Sequence, residues 1–145
     1  MKKIKKITKK ETLNHPNWSM GKKISIDSCT MMNKVFEVIE AQRIFNIPSK
    51  KIEILVHPKS YLHSMVKFKN GTVKLLVHET DMKIPIFNTL YGDTDKMLNT
   101  KKINLKKLNN LNLQKPNLKK FPCLKLQKKI PSKISLFETV LVTAN

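Results

Sequence analysis

One segment of this sequence, residues 15–41, holds the side chains best suited to chemistry. Ser28, Asn33 and Lys34 carry a hydroxyl, an amide and an ammonium group, each of which can donate a hydrogen bond to an anion such as phosphate. Glu37 carries a carboxylate, which can ligate a hard divalent cation. Because Asn33 and Glu37 are four residues apart, a helix would place them on one face. The spacing therefore predicts a phosphate site beside a metal ligand.

Each of these residues also has an ordinary structural explanation. Ser28 can simply cap a helix, and Asn33 and Lys34 can lie on a solvated helix face. Glu37 can pair with Lys34 instead of a metal. The cluster favours function, because an N-cap serine followed by nitrogen donors would join the free backbone N–H groups of a helix start, where the helix dipole also attracts anions.

The stretch before this cluster predicts a helix and then a loop. Thr8 and Glu11 have the spacing of a capping box, so a short helix should begin near Lys9 and end before Pro16. The loop that follows, residues 15–21, contains a tryptophan and a methionine. Large apolar side chains are unusual in a loop unless they cover another surface.

The next stretch predicts strands that alternate with a helix. Residues 23–27 alternate isoleucine with polar side chains, which predicts a short strand. Asp27 or Ser28 should cap a helix that runs to about Phe45 and buries an apolar stripe. Another strand is expected at residues 51–57.

Two turn signals organise the middle of the chain. The Asn70-Gly71 pair between two apolar runs predicts a β-hairpin. Pro85 predicts the first turn of a helix that ends near Tyr91. Residues 92–117 are dominated by Lys, Asn, Leu and Asp and predict an extended linker, and residues 118–145 predict new helical starts.

The composition limits the possible partners. The chain has 145 residues, 40% of them apolar, and a formal charge of +19, which would ordinarily suggest nucleic acid or an anionic membrane. However, Arg43 is the only arginine among 29 basic residues, and few aromatic side chains are interleaved to stack on bases. A solvated basic surface is therefore favoured over a nucleic-acid groove. No run approaches transmembrane length, and Cys29 and Cys123 form no metal-ligand pattern.

The same segment carries a resemblance to a known family. Its sequence, HPNWSMGKKISIDSCTMMNKVFEVIEA, closely resembles the signature of the 1-deoxy-D-xylulose 5-phosphate reductoisomerases. The resemblance continues at Val56-His57-Pro58-Lys59-Ser60, His63-Ser64, Asp81-Met82 with Pro85, and Phe121-Pro-Cys-Leu-Lys-Leu. The chain departs from the family pattern at Lys59, Cys29 and Val35, where glutamine, alanine and glycine are usual.

The resemblance implies a role for each matching residue. His15, Ser28, Asn33, Lys34 and Glu37 would contact the substrate, with His15 and Glu37 serving catalysis and Glu37 acting as one of three acidic metal ligands. Three further residues would serve the lid and the cofactor: Trp18 and Met20 would form a lid over the substrate, and Gly21 would touch NADPH. The implied cofactors are NADPH and a divalent metal, Mg²⁺, Mn²⁺ or Co²⁺. His78 is interpreted as structural. His57 and His63 lie in the matching region and have two interpretations, a part in shaping the site or, as favoured here, a strand-end histidine bonded to the backbone.

The implied fold is α/β, with a mixed sheet and helices in a catalytic domain. That domain would span residues 1–91, the linker residues 92–117, and the start of an all-helical C-terminal domain residues 118–145. A Gly-rich dinucleotide fingerprint and the acidic segment that would complete the metal site have no counterpart in the sequence. The N-terminal Rossmann domain is therefore expected to be absent, and this polypeptide alone is expected to be inactive.

The resemblance also implies the cellular setting. The reaction would convert a sugar phosphate in non-mevalonate isoprenoid biosynthesis, in the bacterial cytoplasm or, in a eukaryote, a plastid-type organelle. The intact protein would form a homodimer through its sheet and would bind neither nucleic acid nor membrane. Two alternatives remain at this stage: a catalytically dead structural or dimerisation remnant, and a basic nucleic-acid-binding module.

Overall fold

The computed structural model describes residues 8–13 and 21–131 of the chain. Contacts divide the chain into two compact units, one formed by residues 1–55 with residues 115–145 and the other by residues 56–114. The helices are α1 (Lys9–Thr12), α2 (Lys22–Thr30), α3 (Met32–Phe45) and α4 (Lys83–Tyr91), and the strands are β1 (Leu62–Lys67) and β2 (Val73–Val77). Single 3-10 segments occur at Ser49–Lys51, Leu105–Leu108 and Pro122–Lys129.

The first helix has the predicted capping box. The Thr8 backbone N–H donates to Glu11 Oε2 at 2.8 Å, and the Glu11 backbone N–H donates to Thr8 Oγ1 at 3.3 Å. The two bonds satisfy donors that a helix start leaves without intrahelical partners. The predicted stop at Pro16 lies outside the described residues.

The predicted strand at residues 23–27 is wrong, because these residues form the first half of α2. Ile24 and Ile26 are both exposed, so their alternation does not mark a buried face of a sheet. Helical contacts hold the segment instead. The Lys23 ammonium pairs with Asp27 one turn later, and the Ser25 hydroxyl donates to the Gly21 carbonyl at 3.0 Å.

The apolar stripe of α3 forms the core of the first unit. Val35 is fully buried, and Met32, Val38 and Ile39 are buried beside it. Leu124 and Ile130, from the far end of the chain, complete the same cluster. As predicted, α3 ends at Phe45, where Asn46 takes a left-handed conformation with φ 48°.

Two buried or half-buried amide side chains tie residues 115–131 to this core. Gln42 Nε2, on α3, donates to the Pro131 carbonyl at 2.9 Å. Gln127 Nε2 donates to the Ile52 carbonyl at 2.9 Å. The 3-10 segment Pro122–Lys129 therefore packs on α3 through Leu124, and the two hydrogen bonds anchor its flank to α3 and the segment itself to Ile52.

The second unit contains the predicted hairpin. β1 and β2 pair antiparallel, with Lys67 opposite Val73, and an irregularity in register lies between Leu62 and Ser64. Gly71 occupies the turn with φ 86°, a conformation that favours glycine. α4 follows the hairpin and, as predicted, includes Pro85 in its first turn.

The prediction of a mixed sheet is wrong for the described residues, whose one sheet is this two-stranded antiparallel hairpin. The expected strand at residues 51–57 forms only a single antiparallel bridge, between Val56 and Gln114. The physical reason lies in its side chains. The half-buried Ile52 and Ile54 pack against the α3 core, and the Ile52 carbonyl accepts from the Gln127 side chain, so this part of the segment pairs with no strand.

No helix within residues 8–13 and 21–131 combines the length and the apolar character that a bilayer crossing requires.

Candidate functional site

The candidate site lies where α2 gives way to α3, at the single residue Met31. Met31 adopts a left-handed conformation, φ 59° and ψ 20°, and it caps both the end of α2 and the start of α3. Its backbone N–H donates to the Ser28 carbonyl at 3.1 Å, and its carbonyl accepts from the Lys34 N–H at 3.2 Å. The junction therefore fixes the last turn of α2 against the first turn of α3.

This junction corrects the predicted role of Ser28 as a helix cap. Ser28 lies inside the last turn of α2, and α3 begins four residues later, at Met32, with no side-chain cap hydrogen bond. The predicted start of α3 is wrong because nothing in the sequence indicates that Met31 adopts a left-handed backbone conformation. Ser28 is half-buried in α2, and its backbone carbonyl accepts from the Met31 N–H.

Asn33 and Lys34 lie in the first turn of α3, as the phosphate-site interpretation requires. Both side chains are partly exposed. The Met32 backbone N–H donates a long hydrogen bond, 3.4 Å, to Thr30 Oγ1. An anion at this end of a helix would also experience the favourable helix dipole.

Glu37 and Lys34 form an ion pair one turn apart on α3. Lys34 Nζ lies 2.7 Å from Glu37 Oε1 and 2.9 Å from Oε2. The two side chains are 39% and 54% exposed, so the pair is in contact with solvent and is worth little to stability. The ion pair anticipated for Glu37 is thus formed. It does not exclude metal binding, because the pair is open to exchange.

The described residues do not by themselves build a complete metal site. No group of three His, Cys, Asp or Glu side chains in residues 8–13 and 21–131 could hold a metal ion. Glu37 offers one carboxylate, and both of its oxygens are in contact with the Lys34 ammonium.

Of the residues expected to form the lid or to contact NADPH, the structure describes only Gly21. His15, Trp18 and Met20 lie outside the described residues. Gly21 is exposed at the start of α2, and among the described residues no atom lies within 4 Å of a Cβ built there. Packing against those residues therefore does not require glycine at this position.

Histidines of the second unit form a contact that the sequence reasoning missed. The rings of His63 and His78 stack at a centroid distance of 3.6 Å. His63 Nε2 lies 3.0 Å from the His78 carbonyl, and His78 Nδ1 lies 2.6 Å from the Glu79 carbonyl. The signal was available, because pairing about the Asn70-Gly71 turn brings positions 63 and 78 close together.

The third histidine of this region has one ring nitrogen near a backbone carbonyl. His57 Nδ1 lies 3.4 Å from the Asn112 carbonyl, which is consistent with its structural interpretation. Its Nε2 is buried and makes no hydrogen bond within the described part of the chain.

Both ends of the chain match models of one protein family. Residues 1–45 match the family model described as the 1-deoxy-D-xylulose 5-phosphate reductoisomerase C-terminal domain. Residues 78–145 match a second one, the DXP reductoisomerase C-terminal domain.

Comparison with individual proteins agrees. The chain is 59% identical, over its whole length, to the 1-deoxy-D-xylulose 5-phosphate reductoisomerase of Pelagibacter ubique (strain HTCC1062), and it spans 37% of that relative. The chain also resembles a crystal structure of DOX-P reductoisomerase in complex with NADPH, fosmidomycin and magnesium. The two sequences are 42% identical, the TM-score is 0.78, and the match covers 84% of this chain and 30% of that one. The reductoisomerase of Zymomonas mobilis in complex with NADPH is 38% identical, with a TM-score of 0.75 and coverages of 88% and 32%.

Proposed function

Because the chain belongs to the 1-deoxy-D-xylulose 5-phosphate reductoisomerase family, we propose that it provides one wall of the site at which such an enzyme binds its sugar phosphate. The whole protein would use NADPH and a divalent metal to form 2-C-methyl-D-erythritol 4-phosphate in non-mevalonate isoprenoid biosynthesis. The observation that supports this assignment is the α2–α3 junction, where Ser28 stands in the last turn of α2 and Asn33 and Lys34 stand in the first turn of α3.

The phosphate of the substrate would lie at the start of α3. There, Lys34 supplies a positive charge, and Ser28 and Asn33 supply neutral donors. Phosphate contacts of this kind contribute binding energy that holds the distant, reacting end of the substrate in place.

The remaining roles follow from the family. Glu37 would supply one carboxylate to the metal, which when bound polarises substrate oxygens. His15 would contact the substrate, Gly21 would contact NADPH, and Trp18 with Met20 would close over the substrate and exclude water. The proposed domains are a catalytic domain at residues 1–91, a linker at 92–117 and the start of a C-terminal helical domain at 118–145.

Binding of the sugar phosphate to the purified chain tests this function. In an NMR titration with 1-deoxy-D-xylulose 5-phosphate, we expect the amide signals of Ser28, Asn33 and Lys34 to move together and to saturate. The control ligand is 1-deoxy-D-xylulose, which lacks the phosphate and should leave these signals in place. Shifts spread over the lysine-rich residues 92–117 would instead indicate nonspecific attraction of an anion and would contradict the proposal.

We also propose that the intact protein is a homodimer in the bacterial cytoplasm, a location suggested by its bacterial relatives. The hairpin supports the dimer, because it exposes six large apolar side chains: Met65, Val66, Phe68, Val73, Leu75 and Leu76. Met65, Val73 and Leu75 share one face of the hairpin, and apolar side chains grouped on an exposed face are typical of an interface. Lysines at positions 67, 69 and 74 could instead protect the edge from pairing. Light scattering on the purified chain should give a dimer mass, and a strictly monomeric chain would count against the pairing.

A further inference from the structure

Met31 is the single residue between α2 and α3, and its backbone conformation is one that methionine rarely adopts. Its φ of 59° lies in the left-handed region, where a residue with a Cβ meets steric resistance that glycine does not. Such a conformation persists only where the surrounding structure holds it, and conformations of this kind cluster at functional sites.

The side chain of Met31 provides the hold. It is half-buried and packs against the core cluster to which Met32 and Val35 of α3 belong. From this fixed position the Met31 N–H donates to the Ser28 carbonyl, and the Met31 carbonyl accepts from the Lys34 N–H. Glycine would adopt the same backbone angles more easily, but it would have no side chain in the core and would be free to adopt others.

The last turn of α2 has no buried side chain of its own. Ser25 is the one buried residue of α2, and none of the residues that follow it in this helix is buried. Besides the two bonds of Met31, the junction has a long bond of 3.4 Å, which the Met32 N–H donates to Thr30 Oγ1. The direction in which the turn that carries Ser28 meets α3 therefore depends on Met31.

We propose that Met31 is a positioning residue of the phosphate site, which holds the turn that carries Ser28 in a fixed direction against the turn that carries Asn33 and Lys34. This inference rests on the proposed function, and it adds a residue that is not itself placed against the substrate. A site whose groups are already held in the binding geometry binds more tightly, because less order is lost to binding.

The variant Met31→Gly of the full 145-residue chain tests this role, because glycine permits the left-handed turn but lacks the side chain in the core. It should weaken binding of 1-deoxy-D-xylulose 5-phosphate about two- to fivefold, the effect of a freed glycine on a site that must be ordered. Its urea midpoint should change little, because the relieved backbone strain and the lost packing of a half-buried side chain act in opposite directions.

Two further variants are the controls. Met31→Leu keeps an apolar side chain of similar volume at the junction, so it should bind the sugar phosphate as the original chain does. Asn46→Gly makes the same backbone change at another left-handed residue, which ends α3 far from the proposed phosphate site, and it should also leave the affinity unchanged.

Calorimetry gives the affinity and urea denaturation the stability of each chain. The expected result is a loss of affinity in Met31→Gly alone, at an unchanged midpoint. If Met31→Gly binds as tightly as the original chain, the positioning role is overturned and the phosphate site stands. If its midpoint falls together with its affinity, or if Met31→Leu loses affinity equally, Met31 serves the fold and the positioning role is again overturned. If the original chain does not bind the sugar phosphate, the proposed function itself fails.

Discussion

Replacing Leu124 by alanine should lower the free energy of unfolding of the chain by about 2–5 kcal/mol. Leu124 is only 3% exposed and packs with the buried face of α3. Removing its side chain loses apolar burial and leaves a cavity that the surrounding residues fill only in part. Because α3 carries Asn33, Lys34 and Glu37, the same substitution should also weaken ligand binding at the candidate site. The loss of stability is measured by urea denaturation, from the difference between the transition midpoints of the original chain and the variant.

Leu105→Ala is the matched control for this substitution. Leu105 is 71% exposed, so the same chemical change should alter the free energy of unfolding by only about 0.5 kcal/mol or less. Amide hydrogen exchange on α3 gives an independent measurement, and its protection should fall in Leu124→Ala alone. Unchanged protection would show that Leu124 does not support α3, and the shared core would then be wrong.

The purified 145-residue chain should show no NADPH turnover with 1-deoxy-D-xylulose 5-phosphate and Mg²⁺. The described residues contain no group of three potential metal ligands, and Glu37 offers one carboxylate. Mg²⁺ usually needs further anionic ligands or several bound waters to remain in place. The sequence also lacks a Gly-rich dinucleotide fingerprint, since its three glycines stand at positions 21, 71 and 92.

NADPH absorbance measures this prediction directly. The reductoisomerase of Pelagibacter ubique, assayed under the same conditions, is the positive control. Substrate-dependent loss of NADPH absorbance with the purified chain would show that the chain holds a complete site. The proposal that it supplies only one side of the substrate site would then be wrong.

The sequence predicted those elements whose signals are local. The capping box at Thr8 and Glu11, the turn at Gly71 and the proline in the first turn of α4 all depend on neighbouring residues, and all three predictions are confirmed. The strand expected at residues 23–27 failed because two alternating isoleucines do not show which partner they face. At residues 51–57 the expected strand is wrong apart from one bridge at Val56, because Ile52 and Ile54 pack against the α3 core instead of a neighbouring strand.

The helix that carries most of the candidate residues was predicted correctly, but its start was not. Lys34 and Glu37 were expected on one helix, and they lie there, one turn apart. Ser28 was expected to cap that helix, but it belongs to the preceding one, because Met31 turns the chain in a left-handed conformation. Methionine adopts positive φ so rarely that the sequence gives no reason to expect it. Long-range contacts such as Gln42 with Pro131 likewise have no local signal.

The central claim is that the first turn of α3 holds the phosphate of the substrate. The most direct test is the affinity of the chain for 1-deoxy-D-xylulose 5-phosphate, measured by calorimetry in Lys34→Gln and in the matched variant Lys23→Gln. Both changes remove one positive charge from the same unit, and Lys23 lies on the neighbouring helix. The account predicts that Lys34→Gln weakens binding about tenfold or more, as expected for a charged hydrogen bond, and that Lys23→Gln leaves it nearly unchanged. Equal losses in the two variants would contradict it, because the sugar phosphate would then respond only to the net charge of the chain.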